Sequence, residues 1–139
     1  MSDAALLTTA LEATHAAVYG YGVLGARLPD DERASAGQAQ DVQRARRDQL
    51  VGALLERGAP APAPEPGYDV AVADRDSALL LAVRLEEGLG VRWRDLVSGT
   101  DDRRLRRLGV SALQESALRA TRWRQLAGVL PATVALPGI

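Results

Sequence analysis

Few residues of this sequence could carry out chemistry, and most of them lie near the middle of long helical stretches. Glu12 and His15 have the Glu-x-x-His spacing of half a carboxylate-bridged di-iron motif, and Glu86 and Glu115 are further carboxylates. His15 is the only histidine and cysteine is absent, so a two-histidine metal site, a thiolate site and a cysteine nucleophile are excluded. The absence of lysine excludes a Schiff base.

Composition and charge indicate which binding partners and which location to expect. The 139 residues include 17 basic residues, all arginine, against 18 acidic ones, which gives a net charge of −1 and argues against a nucleic-acid binder. No run of about 20 residues lacks charge, so we expect no membrane span. The start of the chain carries Asp3 and Glu12 but no basic segment, so we expect no signal peptide and a cytoplasmic location. The length favours one domain over residues 1–139.

Four long stretches without internal proline predict the elements that position these residues. Strand signals are weak throughout, so the sequence predicts an all-α protein. Proline, glycine and short polar residues mark the ends of the helices. The predicted helices run over Asp3–Leu28, Asp30–Arg57 and Val72–Val97, and from Thr100 or Asp101 to Leu130.

The connections between the helices predict the topology. The first and last joints are a few residues long, which favours antiparallel pairs. Residues 59–71 hold four prolines, and twelve residues of polyproline II reach about 37 Å. A 26-residue helix is roughly 39 Å long, so this segment can return the chain along the bundle. We therefore predict a ferritin-like four-helix bundle with a long Pro-rich crossover between helices 2 and 3, the alternative being two independent hairpins on a flexible linker.

Helical phase places a polar residue near the middle of each buried face. A buried charge must be paired, and Glu86 with Arg47 or Arg119 is the expected pair. His15 and Glu115 lie at the edges of the buried faces of their helices, while Glu12 points away from the buried face of its helix. The candidate central polar layer comprises Thr14, His15, Gln43, Arg47, Glu86, Glu115 and Arg119.

The outward face of the first helix is nearly uncharged. Ala16, Tyr19, Gly20 and Val23 cover it, and the small residues among them permit close approach of another helix. A helix that is apolar on all sides is buried, and in a small bundle that burial requires a partner. The sequence therefore predicts a homodimer through these four residues.

Several segments resemble a known family, the actinobacterial ferritin-like DUF4439 proteins. They are THAAVYGYGVLGARL at 14–28, RARRDQLVGALLERGA at 44–59, LAVRLEE at 81–87, ALRATRWR at 117–124 and the terminal LPG, in the same order along the chain. The resemblance implies a ferritin-like bundle and no established activity. Here Thr14 stands where the family motif has glutamate, and Gln43 stands where it often has histidine.

Too few potential metal ligands point into the bundle for a di-iron centre, which needs about six. We therefore expect no catalytic residues, no metal and no cofactor, and a bundle that acts through dimerisation or a partner. Two alternatives stay open. One is a ferritin-like oxidase in which Glu86, His15 and Glu115 hold iron or manganese; the other is a bundle that binds an unidentified small molecule near Arg47, Glu86 and Arg119.

Overall fold

The chain folds into four helices and no strand, which confirms the predicted all-α class. The computed structural model describes residues 1–139. Its helices are α1 (Asp3–Gly25), α2 (Asp30–Glu56), α3 (Arg75–Gly99) and α4 (Arg103–Ala127).

Capping interactions move the start of α3 away from its predicted position. The Asp74 carboxylate accepts a hydrogen bond from the Ser77 backbone N–H, and the Ser77 hydroxyl accepts one from the Asp74 N–H. This reciprocal pair satisfies two N–H groups that a helix start leaves free. The helix therefore begins at Arg75, and the predicted start at Val72 was too early.

The ends of α4 also differ from the prediction. The Asp102 carboxylate accepts hydrogen bonds from the N–H groups of Arg104 and Leu105, so Asp102 caps the helix rather than Thr100 or Asp101. At the other end, Gly128 adopts the left-handed conformation with φ of 71°, which terminates α4 before Leu130.

The crossover returns the chain along the length of the bundle, as its length predicted, and the structure places it along the outside of α1. Residues 57–74 form no helix or strand. His15 Nε2 lies 2.9 Å from the carbonyl oxygen of Pro62, and the rings of Tyr19 and Tyr68 pack 5.2 Å apart. The crossover returns the chain to the end of the bundle where α2 began, and Arg75 there pairs with Glu32. Helices α2 and α3 are therefore parallel, while α1 is antiparallel to both.

Two apolar clusters fill the bundle, one at each end. Trp93 and Leu54 belong to the first, and Leu24 and Trp123 belong to the second. Between the clusters, each helix contributes one polar residue that is at most 1% exposed. These are Thr14, Gln43, Glu86 and Ser116.

One side of the bundle is open. Helix α1 packs against α2 and α3, and α3 packs against α4, but no Cα atom of α2 lies within 8 Å of one in α4. Two ion pairs span this side. Arg57 lies 2.9 Å from Asp102 at one end of the bundle, and Arg46 lies 2.7 Å from Glu115 near the middle. Beyond Arg46, toward the start of α2, no ion pair joins the two helices.

The C-terminal tail packs across α3 and α4. The Arg124 guanidinium donates to the carbonyl of Ala132. Gly138 has a positive φ of 86° and lies so close to α3 that an added Cβ would come within 2.8 Å of the Gly90 carbonyl oxygen. None of the four helices combines the length and apolar character needed to cross a membrane.

The outward face of α1 is largely covered within the chain. An added Cβ on Gly20 would lie 2.8 Å from the Leu85 side chain, so Gly20 packs against α3 rather than facing a second copy. The Tyr19 ring packs at a tilt against Tyr68 and is 40% exposed, while Ala16 and Val23 are partly buried. The crossover and α3 thus supply the burial for which a second copy was invoked, and a homodimer stays a prediction.

Candidate functional site

Glu86 is the centre of a hydrogen-bond network that joins three helices. Its side chain is completely buried, and its Oε2 atom accepts hydrogen bonds from the Tyr21 hydroxyl and, at 3.2 Å, from Arg119 Nε. The Trp123 indole N–H donates to the Tyr21 oxygen at 3.1 Å. The network therefore links α1, α3 and α4 at one level of the bundle.

The network sets the protonation of its acidic members. Loss of water around Glu86 raises the pKa of its carboxyl, while the Arg119 charge and the hydrogen bond from Tyr21 act in the opposite direction. Burial, followed by the negative charge of Glu86, raises the pKa of Tyr21 well above its ordinary value. The phenol therefore stays protonated and donates its hydrogen to the carboxylate.

Three buried polar atoms have no hydrogen-bond partner within the protein. They are Gln43 Oε1, Glu86 Oε1 and Ser116 Oγ. The fourth buried polar residue of the layer, Thr14, donates to the Ala10 carbonyl of its own helix at 2.8 Å. Buried polar atoms usually have partners, so these three atoms have hydrogen-bonding capacity that water or another small group can use.

Three residues predicted for the layer lie outside it. Arg47 donates to Asp48 on the surface of α2, so its predicted pairing with Glu86 does not form. His15 faces the crossover through its contact with Pro62. Glu115 pairs with Arg46 at the edge of the bundle and is partly exposed. Of the predicted set, the structure brings together Thr14, Gln43, Glu86 and Arg119.

The sequence interpretation missed three residues of the site. Tyr21 and Trp123 were assigned to the core, and both are buried there, but each also contributes a polar group to the Glu86 network. A tyrosine and a tryptophan on buried stripes need hydrogen-bond partners, which was the available signal. Arg122 was not singled out, because a single arginine on a helix face is ordinarily solvated.

The donor set does not fit a carboxylate-bridged di-iron centre. Such a centre takes four glutamates and two histidines from the four helices. Glu86 is the one carboxylate in the layer, and no group of three or more histidine, aspartate or glutamate side chains could hold a metal ion. Arg119 already places a positive charge beside the Glu86 carboxylate, which disfavours a metal ion there.

A groove of about 550 Å³ lies on the open side, between the first half of α2 and the second half of α4. Ala39 and Val42 form an apolar wall on α2, and Trp123 and Leu126 form one on α4. Ser35, Gln38 and Gln125 add polar groups to the lining. The volume falls in the range of about 300–1,000 Å³ that small-molecule sites have.

Two arginines of α4 line this groove with donors that the protein does not use. Arg119 engages Glu86 through Nε alone, so both of its terminal amino groups are without a protein partner. Arg122 is exposed and has neither an ion pair nor a hydrogen bond. The groove therefore combines positive charge with apolar walls.

These features define a four-helix bundle with one long crossover and a polar centre. The chain belongs to the family described as "Domain of unknown function (DUF4439)", whose model matches residues 6–139, which confirms the resemblance seen in the sequence. It is similar to a conserved hypothetical protein from Mycobacterium tuberculosis of known crystal structure. The two are 36% identical with a TM-score of 0.86, over 89% of this chain and 96% of the other. No curated protein matches the sequence.

Proposed function

We propose that this protein is a non-catalytic, ferritin-like bundle that binds a small organic anion with an apolar body in the groove between α2 and α4. One observation carries the proposal. The bundle is open where Arg119 and Arg122 have unused donors beside the ring of Trp123. A soluble carboxylate with an alkyl or aryl body complements both the charge and the walls of this groove.

Arg119 is held so that part of its guanidinium stays free for a ligand. Its guanidinium is a planar fork that can give one edge to Glu86 and keep other donors for a ligand. Because Glu86 and the surrounding core fix the side chain, little rotamer entropy is lost when an anion binds. Arg122 adds a second guanidinium one turn along the same face of α4, without a competing protein partner.

The polar layer supports the non-catalytic part of the proposal. One long crossover is the connectivity of ferritin-like folds, and their di-iron proteins hold metal at the centre of the bundle. Here that level is occupied by Glu86, which accepts hydrogen bonds from both Tyr21 and Arg119. We assign the layer the structural role of fixing Arg119 at the base of the groove.

A titration with octanoate tests this function, with octanol and octylammonium as ligands of the same chain length and different head group. Backbone amide shifts measured by NMR should change saturably for residues around the groove, including Ala39, Arg122 and Leu126, when octanoate is added. Octanol and octylammonium should bind at least about tenfold more weakly, because they lack the negative charge that pairs with arginine.

Matched variants locate the binding. Arg122→Gln should weaken octanoate about tenfold through the loss of a charge-assisted hydrogen bond. Arg107→Gln removes an exposed arginine of α4 outside the groove and should leave the affinity unchanged. Equal binding of octanol and octanoate, or equal effects of the two substitutions, contradicts the proposal.

A further inference from the structure

A second cavity, lined in part by Glu86, lies on a different face of α4 from the groove. It occupies about 550 Å³ between α3, α4 and the C-terminal tail, with Val134 and Ile139 contributed by the tail. Glu86 and Ser116 both line it, and each is 1% exposed. No residue lines both this cavity and the groove, so the two are separate features.

Two orphan polar atoms belong to the residues that line this cavity. Glu86 uses only Oε2 for Tyr21 and Arg119, which leaves Oε1 without a partner. Ser116 Oγ is also without a hydrogen bond of normal geometry. Glu86 and Ser116 line the same cavity, so their side chains are neighbours, and a weak hydrogen bond from the Ser116 hydroxyl helps to lower the pKa of the Glu86 carboxyl. One small group can therefore contact both.

The hydrogen-bonding capacities of the two atoms determine which group fits. A carboxylate oxygen only accepts, whereas a serine hydroxyl both donates and accepts. A ligand hydroxyl can donate its hydrogen to Glu86 Oε1 and accept the hydrogen of Ser116. An ammonium would add an unpaired positive charge beside the Glu86 carboxylate, which Arg119 already neutralises, and an anion would meet the buried charge of Glu86.

The rest of the cavity fits the body of an alcohol. Ala117 and Ala120 of α4, Val91 of α3 and Val134 of the tail present apolar surface. The charged pair in the lining, Arg124 with Glu87 at 2.8 Å, is already neutralised. Arg84 also lines the cavity, is exposed and has no ion-pair partner, so the experiment includes an anionic ligand.

We infer that the cavity under the C-terminal tail is a second binding site, which takes a neutral aliphatic alcohol whose hydroxyl bridges Glu86 Oε1 and Ser116 Oγ. This site goes beyond the proposed groove function and does not depend on it. Its ligand class also differs, because the groove takes an anion and this cavity takes a neutral alcohol. A bound alcohol leaves the charge balance between Glu86 and Arg119 unchanged.

A titration of the full chain with n-butanol tests the site, with n-butylammonium and butyrate as matched ligands. Amide shifts of Ser116, Ala120 and Val134 should saturate with n-butanol, and the two charged ligands should leave them unchanged. If no saturable shift appears with n-butanol, water alone satisfies the two atoms and the inference is overturned. It is also overturned if butyrate binds there as well as n-butanol.

Three substitutions complete the test. Ser116→Ala removes one hydrogen bond and should weaken n-butanol about tenfold. Ser111→Ala changes an exposed serine of the same helix outside the cavity and should have no effect. Ala117→Leu places a larger side chain in the cavity and should abolish the shifts while circular dichroism shows an intact fold. Unchanged n-butanol binding in Ser116→Ala contradicts the inference.

Discussion

The closed sides of this bundle are packed differently from its open side, which lies between α2 and α4. Where α3 meets α4, an added Cβ on Gly109 would lie 2.7 Å from the Val97 side chain, and Trp93 is 1% exposed. On the open side, no Cα atoms of α2 and α4 approach within 8 Å, and two ion pairs span the gap.

The difference shows how a small bundle can combine stability with a binding groove. Around Gly109 the closely packed helices leave no space for a ligand, and they bury large side chains such as Trp93 that stabilise the fold. Helices held apart by arginine and glutamate leave a gap beside them. The polar layer connects the closed sides to the open side. Glu86 is buried on the closed side, while its partner Arg119 lines the groove on the open side.

The largest expected effect comes from truncation on the closed side. Trp93→Ala should lower the free energy of unfolding by about 3–5 kcal/mol, because it opens a cavity among residues that cannot collapse into it. Leu126→Ala, at a groove residue that is 43% exposed, should change it by less than about 0.5 kcal/mol. Urea denaturation followed by circular dichroism measures both, and similar losses would remove the distinction between the two sides.

The next effect tests the link between the two sides. Arg119→Met leaves the buried Glu86 carboxylate without its counter-charge and should lower the free energy of unfolding at neutral pH by about 2–3 kcal/mol. Arg122→Met changes the neighbouring groove arginine, which has no partner. Its free energy of unfolding should stay within about 0.5 kcal/mol of that of the unchanged protein. Equal losses in the two variants would show that the Glu86 pair contributes nothing specific.

A pH series should reveal the raised pKa of Glu86. The native state binds this proton more tightly than the unfolded state, so the contribution of Glu86 falls as pH rises from the ordinary value of 4.5 through the folded-state pKa. In Glu86→Gln that fall should disappear, a difference of at most about 1.4 kcal/mol per pH unit. Parallel stability curves for the two proteins over this window would be evidence against a raised pKa.

A smaller loss is expected at the cap of α4, where the open side ends. Asp102→Ala removes the hydrogen bonds to two backbone N–H groups and the ion pair with Arg57, so the protein should be less stable at neutral pH. Hydrogen bonds from those N–H groups lower the pKa of Asp102, so the difference should shrink as acid protonates the carboxyl in the native state. Asp101→Ala, one residue earlier, should have no comparable effect in thermal unfolding.

The helices and the central polar layer were predictable from the sequence, because the face of a helix on which a residue lies depends only on local spacing. Gln43 and Glu86 fall on the apolar stripes of their helices, and both are buried. The pairing of charges was not predictable in the same way. Arg46 and Arg47 are about 100° apart around the axis, so the one that faces α4 is set by the rotation of α2 in the bundle.

Two further features depend on distances between elements that the sequence does not encode locally. The face of α1 near Gly20 looked unpartnered, because the position of the crossover follows from its contacts with His15 and Tyr19 rather than from its proline content. The groove beside Trp123 depends on the spacing between α2 and α4, which no helical period reveals.

The most direct test of the central claim is a crystal structure of the protein with octanoate at neutral pH. The account predicts the carboxylate within hydrogen-bond distance of the terminal amino groups of Arg119 and Arg122, with the alkyl chain along the ring of Trp123. Octanoate bound only at another surface, or α2 and α4 closed against each other with no space between them, would contradict it.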